Sequence, residues 1–335
     1  CMHDPTHYHK QKELLGNRLF HDATLSEPAG QSCATCHTLT KGFADIDSRA
    51  VSEGAVKGLY SQRNAMTISY SKFIPDLYYD EKEETYVGGL FWDGRSPSLQ
   101  AQASEPFLNP VEMGNHDKRM VVDKVKLTSY YPQLIRIYGE TENVDSLYAY
   151  ITDALAAYQS SKEVNPFSSR FDAYKKGNYT LTAQEKLGLD LFENKGLCAE
   201  CHILERDVIA RRTLFTDHTL VMIPHFNGIY ALCQRCDHTY DNLGIPKNPE
   251  NPHYCVPRKY FLLTPDSIDL GLGAIVRKAE ENGKFRVPTL RNVELTAPYG
   301  HNGYFKTLEE IVHFYNVRDV SDEFPPAEYP ANDMV

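Results

Sequence analysis

The chain has 335 residues, enough for about two ordinary domains that each bury a core. Hydrophobic residues make up 41% and charged residues 24%, a balance that predicts a soluble globular protein, and no apolar run is long enough to cross a bilayer. The formal net charge of −10 argues against a nucleic-acid partner, because phosphates require a basic surface, and leaves a basic or neutral protein partner open.

The sequence opens on a cysteine, Cys1, and shows no signal peptide, so we interpret it as a processed or trimmed form. Cys1 is a candidate lipoprotein anchor. The alternative is that the sequence simply begins at this residue, and the preceding residues that would decide between the two are absent from it.

A short helix followed by Cys-x-x-Cys-His is predicted twice. In the first half, Leu15-Gly-Asn-Arg-Leu-Phe20 precedes Cys33-Ala-Thr-Cys36-His37. In the second half, Leu187-Gly-Leu-Asp-Leu-Phe192 precedes Cys198-Ala-Glu-Cys201-His202. Leucines four residues apart with an adjacent phenylalanine predict the apolar face of a helix in both copies. The repeat therefore indicates two related units.

Cys-x-x-Cys-His is the attachment motif of haem c. Two thiols at this spacing form thioethers to the two vinyl groups, and the adjacent histidine binds the iron. A redox Cys-x-x-Cys or half of a zinc site would require neither a histidine after each pair nor the repeated leading helix. The sequence predicts two covalently bound haem c groups and a periplasmic location, since c-type attachment is an export-side process in bacteria.

The predicted fold is mainly α, with two c-type cytochrome domains related by internal duplication and long loops. A helix over about 145–160 leads into a Pro/Asn/Ser segment at 163–169, so the boundary falls near 160–180. We assign an N-terminal domain to 1–165 and a C-terminal domain to 166–335. The apolar and aromatic segment 217–237 is interpreted as an insertion, a partner-facing or pocket-covering hairpin.

Three further cysteines, Cys233, Cys236 and Cys255, lack an adjacent histidine and are not a third haem site. A disulfide from Cys255 to one of the pair is favoured in an oxidising compartment. A small metal site with His238 or His253 is the alternative.

A last helix is predicted after Thr307, where Thr307 and Glu310 form a capping-box pattern. Its apolar face repeats at i, i+3, i+4 and i+7 and consists of Leu308, Ile311, Val312 and Tyr315. Tyr315 therefore points towards the interior.

Several longer motifs resemble the bacterial di-haem cytochrome c peroxidase family and, within it, the MauG type. They are Ser52-Glu-Gly54, Arg63-Asn-Ala65, Phe91-Trp-Asp-Gly-Arg95, Asn109-Pro-Val-Glu-Met-Gly114, Tyr240-Asp-Asn-Leu-Gly244, Val287-Pro-Thr-Leu-Arg-Asn292 and Tyr299-Gly-His-Asn-Gly303. The segment 217–237 departs from the family pattern. By this resemblance the first haem is peroxidatic and the second transfers electrons.

The resemblance implies an open distal face at the first haem. Ordinary family members close the resting first haem with a histidine from the loop after the first motif, but no histidine lies between His37 and Asn64. Peroxide is then expected to bind the ferric iron without prior reduction, as in the MauG type.

The resemblance places Gln102, Pro106 and Glu112 on the distal side of the first haem. Splitting the peroxide O–O bond needs a group that moves a proton from the near to the far oxygen, and a carboxyl group in an apolar pocket suits that role. Glu112 is the candidate. The alternative is that Asn109-Pro-x-Glu112 starts a helix with Glu112 at its third position.

At the second haem the matching sixth ligand is Tyr315, a tyrosine as in the MauG type, where ordinary peroxidases have methionine. The alternatives are a packed core tyrosine, another ligand or a vacant site. Methionine has poor candidates, since only Met222, in the insertion, and Met334, in the tail, follow the second motif. Ligation by an anionic oxygen would lower the reduction potential.

Two further sites follow from the resemblance. Trp92, the single tryptophan, is expected between the haems as an electron relay, whereas a lone tryptophan is otherwise a core residue. Asn64, with the backbone carbonyls of Thr296 and Pro298, matches a calcium site between the haems, since calcium prefers oxygen ligands.

The function implied is that of a MauG-like enzyme, which uses hydrogen peroxide to form a high-valent di-haem state and oxidises an aromatic residue, a tryptophan by preference, of a partner protein. One alternative is a cytochrome c peroxidase that takes electrons from a small cytochrome c or a cupredoxin. The other is a non-catalytic di-haem electron-transfer cytochrome.

Overall fold

The computed structural model of the chain describes residues 5–202, 204, 219–224, 230–235, 238–261 and 268–330. Within these ranges the secondary structure is mainly helical, as predicted, and no helix is long and apolar enough to cross a membrane. The α-helices are α1 Pro5–His21, α2 Cys33–Cys36, α3 Leu99–Leu108, α4 Lys118–Lys126, α5 Tyr131–Tyr138, α6 Val144–Gln159, α7 Arg170–Lys175, α8 Ala183–Asp190, α9 Leu272–Val276 and α10 Leu308–Val317.

The remaining regular structure is short. Single 3-10 turns occur at Ala23–Leu25, Leu39–Lys41, Ser71–Phe73, Cys198–Glu200, Pro252–Cys255, Arg258–Tyr260, Ala279–Glu281 and Val293–Leu295, and a π turn extends α8 over Leu191–Lys195. The strands form three two-stranded antiparallel sheets: β1 Tyr78–Asp80 with β2 Thr85–Val87, β3 Thr219–Pro224 with β4 Tyr230–Arg235, and β5 Tyr240–Asp241 with β6 Phe285–Arg286.

The hydrophobic cluster of the first half lies between α1 and α6. Leu15 and Leu19 of α1 are buried, and Gly16 lies so close to α6 that an added Cβ would be 1.9 Å from the Ala154 carbonyl oxygen. All buried members of this cluster fall between Leu15 and Val164. Burial of the leucine stripe explains why the first predicted helix forms.

The second copy of the repeat has the same order of elements but a different environment. α8 begins with a capping box between Thr182 and Glu185 and is followed by the turn that carries Cys198. Leu187 and Leu191, which correspond to buried leucines of α1, are 58% and 43% exposed. Internal duplication and the domain boundary near 160–180 remain proposals.

The predicted helix over about 145–160 is observed as α6, with the side chain of Asn143 capping its first turn. The predicted insertion at 217–237 contains β3 and β4, which pair antiparallel as a hairpin requires. Residues 225–229, which connect the two strands, lie outside the described residues.

A buried ion pair ties the segment after α6 to the C-terminal half. Nη1 and Nη2 of Arg291 each donate to a carboxylate oxygen of Asp172 at 2.9 Å, and the guanidinium lies over the rings of Tyr70 and Phe167. Burial alone would raise the pKa of Asp172, but the hydrogen bonds from Arg291 and Ser169 outweigh it and hold that pKa below its usual value. The pair therefore stabilises the fold where Asp172 is ionised.

We expect Asp172→Asn to lower the free energy of unfolding by about 3–5 kcal/mol, because the guanidinium of Arg291 would remain buried without its counter-charge. The loss should be full above the pKa of an unfolded aspartate and should shrink as the pH falls through the depressed pKa, since the native protein then loses the same interaction. Urea denaturation at several pH values measures this. The control is Glu142→Gln, which removes the 90% exposed partner of Lys126 and should leave the midpoint unchanged.

Candidate active site

The first haem-attachment motif lies on a single turn of helix. A capping box of Ser32 and Thr35 begins α2, and the backbone N–H of His37 donates to the carbonyl of Cys33 at 2.9 Å. Nδ1 of His37 lies 3.1 Å from the carbonyl oxygen of Phe43. Donation from Nδ1 to that carbonyl leaves Nε2 as the atom that can bind a metal. Burial lowers the pKa of His37 and so favours the neutral form that ligation requires.

Two unpaired thiols accompany His37. Cys33 and Cys36 are not joined by a disulfide, and burial raises the pKa of their thiols to about 12 and about 11, respectively. The carboxylate of Glu112 adds to both shifts, so Glu112 lies within electrostatic range of both sulfurs. Two thiols that are not in a disulfide and an adjacent histidine fit one covalently bound haem.

The second motif repeats this local geometry. The backbone N–H of His202 donates to the carbonyl of Cys198 at 2.8 Å, the same bond that His37 makes to Cys33. Cys198 and Cys201 are also free of a disulfide. Both motifs therefore place the histidine directly after a tight turn that carries the two thiols.

A cavity of about 880 Å³ opens beside the second motif. The residues that line it include Cys198, Cys201 and His202 of the motif, together with Tyr315 and Trp92. The volume is in the range of cofactor pockets, and the donor set is that of a haem. The residues present thus fit a second haem c.

The predicted apolar face of α10 lines this cavity. Leu308, Ile311, Val312 and Tyr315 all contribute to the wall. The expected capping box of Thr307 and Glu310 is present, and the face that packs into protein contains Phe314 instead. Tyr315 therefore differs from a packed core tyrosine: 39% of its surface is accessible, and it borders the cavity.

The protein environment keeps the Tyr315 phenol neutral. The partial burial of the side chain, and then the neighbouring Cys201 and Asp241, raise the pKa of Tyr315. A tyrosinate at this position consequently requires a Lewis acid such as ferric iron to displace the proton.

Glu112 lies in a turn rather than at a helix start. α3 ends at Leu108, with Asn109 as its C-cap, and α4 begins only at Lys118, so the alternative that Glu112 lies in the first turn of a helix is wrong. Nδ2 of Asn109 donates to Oε1 of Glu112 at 3.0 Å. Burial raises the pKa of Glu112 to about 7, against an opposing effect of Arg95. A carboxyl with this pKa can both accept and return a proton near neutral pH.

Backbone contacts hold the Glu112 turn in place. The N–H of Ala55 donates to the carbonyl of Glu112 at 2.7 Å, and an added Cβ at Gly54 would be 2.4 Å from the carbonyl oxygen of Val111. The motif at 52–54 therefore needs its glycine to approach the motif at 109–114.

Gln102 and Pro106 both belong to α3, one turn apart, and so share a face of that helix. The carbonyl of Pro106 accepts from the backbone N–H of Met113, the residue after Glu112, at 3.1 Å. This bond links α3 to the turn that carries Glu112.

Trp92 contacts the candidate calcium residue Asn64. Its indole Nε1 donates to the backbone carbonyl of Asn64 at 2.9 Å, and both residues line the cavity of the second motif. Nδ2 of Asn64 donates to the carbonyl of Ala50 at 3.1 Å, which leaves the side-chain oxygen as the available atom. Thr296 and Pro298 line the same cavity. These positions are compatible with the calcium site, which remains a proposal.

The sequence motifs also contain charged residues that form a buried network of ion pairs. Arg63, next to Asn64, donates from Nε and Nη2 to Asp269 at 2.6 and 2.8 Å, and its Nη1 lies 2.7 Å from Asp93. Asp93 also pairs with Arg95 at 3.0 Å. Because Arg63 adjoins Asn64 and Asp93 adjoins Trp92, the sequence indicates charges near both candidate residues. It does not indicate that Arg63 pairs with Asp269, which is distant in the sequence.

The three remaining cysteines are not settled by the structure. Cys255 is exposed, whereas the side chain of Cys233 and the whole of Cys236 lie outside the described residues. His238 and His253 are buried, and among the described residues no group of three metal-binding side chains is present. The disulfide stays a prediction.

Comparisons with known proteins decide the family. A model of the di-haem cytochrome c peroxidase family matches residues 10–180. The methylamine utilization protein MauG of Paracoccus denitrificans is 33% identical over 311 residues, which are 90% of this chain and 73% of MauG. The chain belongs to the di-haem cytochrome c peroxidase family.

Other relatives of this di-haem peroxidase are named as peroxidases. Cytochrome c peroxidase Ccp of Escherichia coli is 30% identical, over 94% of this chain and 55% of that protein. The crystal structure of the diheme peroxidase BthA from Burkholderia thailandensis superposes with a TM-score of 0.75 at 33% identity, over 94% of this chain and 72% of BthA. The chain is therefore an oxidoreductase of the haem peroxidase type, and the family implies two haem c groups, hydrogen peroxide and a protein partner. Because the relatives are named as enzymes, the alternative of a non-catalytic electron-transfer cytochrome is disfavoured.

Replacing Tyr315 by Phe should change the absorption and electron paramagnetic resonance spectra of the low-spin haem, because Tyr315 borders the cavity of the second motif and the variant lacks the phenol oxygen. The spectrum of the first haem should stay as it is. The control is Tyr299→Phe, since Tyr299 lines the same cavity but donates its hydroxyl to the carbonyl of Val293 at 2.8 Å. A native low-spin spectrum in Tyr315→Phe, or a sulfur-to-iron charge-transfer band in the unmodified enzyme, would rule out tyrosine ligation.

Proposed function

We propose that this chain is a MauG-type di-haem enzyme that oxidises an aromatic residue, a tryptophan by preference, of a partner protein. Hydrogen peroxide accepts two electrons and two protons and yields two molecules of water, and the partner residue supplies the electrons. We also propose a periplasmic location and a calcium ion bound by Asn64, Thr296 and Pro298.

The observation that carries this proposal is the composition of the loop after the first motif. Residues 38–63, all of which the structure describes, contain no histidine. The ligand by which ordinary members of the family close the first haem is therefore missing from its usual segment. This favours a first haem whose distal face is open to peroxide at rest.

When bound, the two haems supply the iron that reacts with peroxide and store its two oxidising equivalents. His37 and His202 would bind their iron, and the paired thiols at 33 and 36 and at 198 and 201 would fix them covalently. Tyr315 is proposed as the distal ligand of the second haem. Its anionic oxygen would stabilise a higher charge on the iron.

Glu112 is proposed to move the proton of the bound peroxide. With a pKa raised to about 7 by burial, the carboxylate is present in part at neutral pH and can take the proton from the near oxygen. Asn109 orients it through the hydrogen bond to Oε1. Gln102 and Pro106, on one face of α3, would shape the adjacent distal pocket.

Trp92 is proposed to carry electrons between the haems. It lines the cavity of the second motif, and its indole is fixed by the hydrogen bond to the carbonyl of Asn64. A fixed indole keeps its distance to both neighbours constant, which a relay requires.

The relatives named as cytochrome c peroxidases favour a second candidate function, the reduction of hydrogen peroxide with electrons from a small cytochrome c or a cupredoxin. The two candidates differ in the resting state of the first haem and in the source of electrons.

The as-isolated ferric protein should contain one high-spin and one low-spin haem and should react with peroxide without prior reduction. Electron paramagnetic resonance and stopped-flow absorption measure these properties. Mass spectrometry of co-expressed candidate partners, with and without this enzyme, then identifies an oxidised tryptophan. Two low-spin signals, with no peroxide reaction until one electron is added, would assign the chain to the ordinary peroxidases.

Glu112→Gln and Trp92→Phe should fail at different steps. Glu112→Gln should slow the reaction with peroxide by about 100- to 10,000-fold, because an amide cannot take the proton as the carboxylate does. The native rate should rise with pH through about 7, as Glu112 loses its proton, and this rise should vanish in the variant. Trp92→Phe should keep the first reaction and slow the spectral change of the second haem. Native rates at both steps would leave Glu112 without a proton-transfer role and Trp92 as a core residue.

A further inference from the structure

Arg286 is a buried cation on the wall of the large cavity. It lies in β6, is 5% exposed and borders the 880 Å³ space together with Trp92 and His202. Its Nε donates to the carbonyl of Phe91 at 3.2 Å. Among the described residues, its two terminal nitrogens make only long contacts, Nη1 with Nδ1 of His238 at 3.4 Å and Nη2 with Sδ of Met66 at 3.6 Å.

None of these partners is negatively charged. The carboxylate of Asp93, whose charge acts on Arg286, is already shared by Arg63 at 2.7 Å and Arg95 at 3.0 Å. In the part of the chain that the structure describes, no carboxylate forms an ion pair with Arg286. Burial lowers the pKa of Arg286, with Tyr240 and Asp93 opposing it, which is the mark of a cation that lacks a close counter-ion.

We propose that Arg286 binds a propionate of the haem attached at Cys198 and Cys201. A haem carries two carboxylates into its pocket, and a buried guanidinium needs an anion. The planar fork of a guanidinium matches the two oxygens of a carboxylate, and the weakly engaged Nη1 and Nη2 are the atoms that remain for such a bond.

We assign this propionate to the second haem because Arg286 borders the cavity of the second motif. That wall contains Cys198, Cys201 and His202, whereas His37 and its two thiols are not among the residues that line it. A propionate of the first haem at Arg286 is the competing assignment.

Arg286 also contacts the backbone of the segment that carries the proposed relay residue Trp92. Its N–H donates to the carbonyl of Trp92 at 2.9 Å, while its Nε donates to the carbonyl of Phe91. A propionate bound at Nη1 and Nη2 would join the second haem to the segment that carries Trp92. Arg286 is thus a positioning residue, which fixes the indole relative to the macrocycle.

The test uses the holoenzyme and the variants Arg286→Gln and Arg286→Lys. Resonance Raman spectra, excited in the band of the low-spin haem, report the bending mode of its propionates. We expect this mode to shift in Arg286→Gln, and to shift less in Arg286→Lys, which keeps the charge but loses the fork. Arg258→Gln, which removes an exposed arginine, should leave the mode unchanged.

The inference rests on the second haem being attached at the second motif, and haem content separates the two failures. A pyridine haemochrome that gives fewer than two haem c per unmodified chain would overturn the attachment. Two haems with an unchanged propionate mode in both Arg286 variants would overturn the role of Arg286 alone. A shift confined to the high-spin haem would assign the carboxylate to the first haem and equally contradict the proposal.

Discussion

The attachment of the segment that carries Asn64 to the C-terminal half depends on Arg63, whose guanidinium is buried between two carboxylates. Asp93 lies on one side of it, next to Trp92, and Asp269 lies on the other, on the wall of the large cavity. Burial alone would lower the pKa of Arg63, but the two carboxylates outweigh it and raise that pKa, so the charge is permanent. Removing either carboxylate would leave a buried charge unbalanced. The segment that carries Asn64 is consequently held against the C-terminal half by electrostatics rather than by an apolar core.

This arrangement explains why the motifs of the two halves converge. The indole of Trp92 is bonded to the carbonyl of Asn64, and the carbonyl of Trp92 accepts from the N–H of Arg286. Three segments that are far apart in the sequence therefore meet at one residue. Trp92 cannot shift as a whole without breaking bonds to both halves, and a constant position is what the proposed relay between two fixed cofactors needs.

Local patterns in the sequence were sufficient for the elements and for the attachment motifs. The helix at 144–159, the capping box at Thr307 and the histidine after each pair of thiols all depend on neighbours within a few residues. The same periodicity could not tell whether the face of α10 with Tyr315 packs into protein or borders a cavity, because both environments favour apolar residues. Arg286 was missed for a related reason. Its significance lies in the lack of an ion-pair partner among the residues that the structure describes, and a sequence does not reveal this.

The charges around Arg95 connect Glu112, the proposed proton carrier, with the segment of Trp92, the proposed electron relay. Arg95 pairs with Asp93, the neighbour of Trp92, and its Nε donates to Glu105 at 2.9 Å. The same Arg95 lowers the pKa of Glu112, whereas Glu105 raises it, and burial exceeds both. A change of charge at the relay segment would therefore alter the proton affinity of Glu112 through Arg95. In the proposed mechanism a proton is moved by Glu112 and an electron is carried by Trp92, and a cation shared by their neighbours is a physical means by which the two transfers would influence each other.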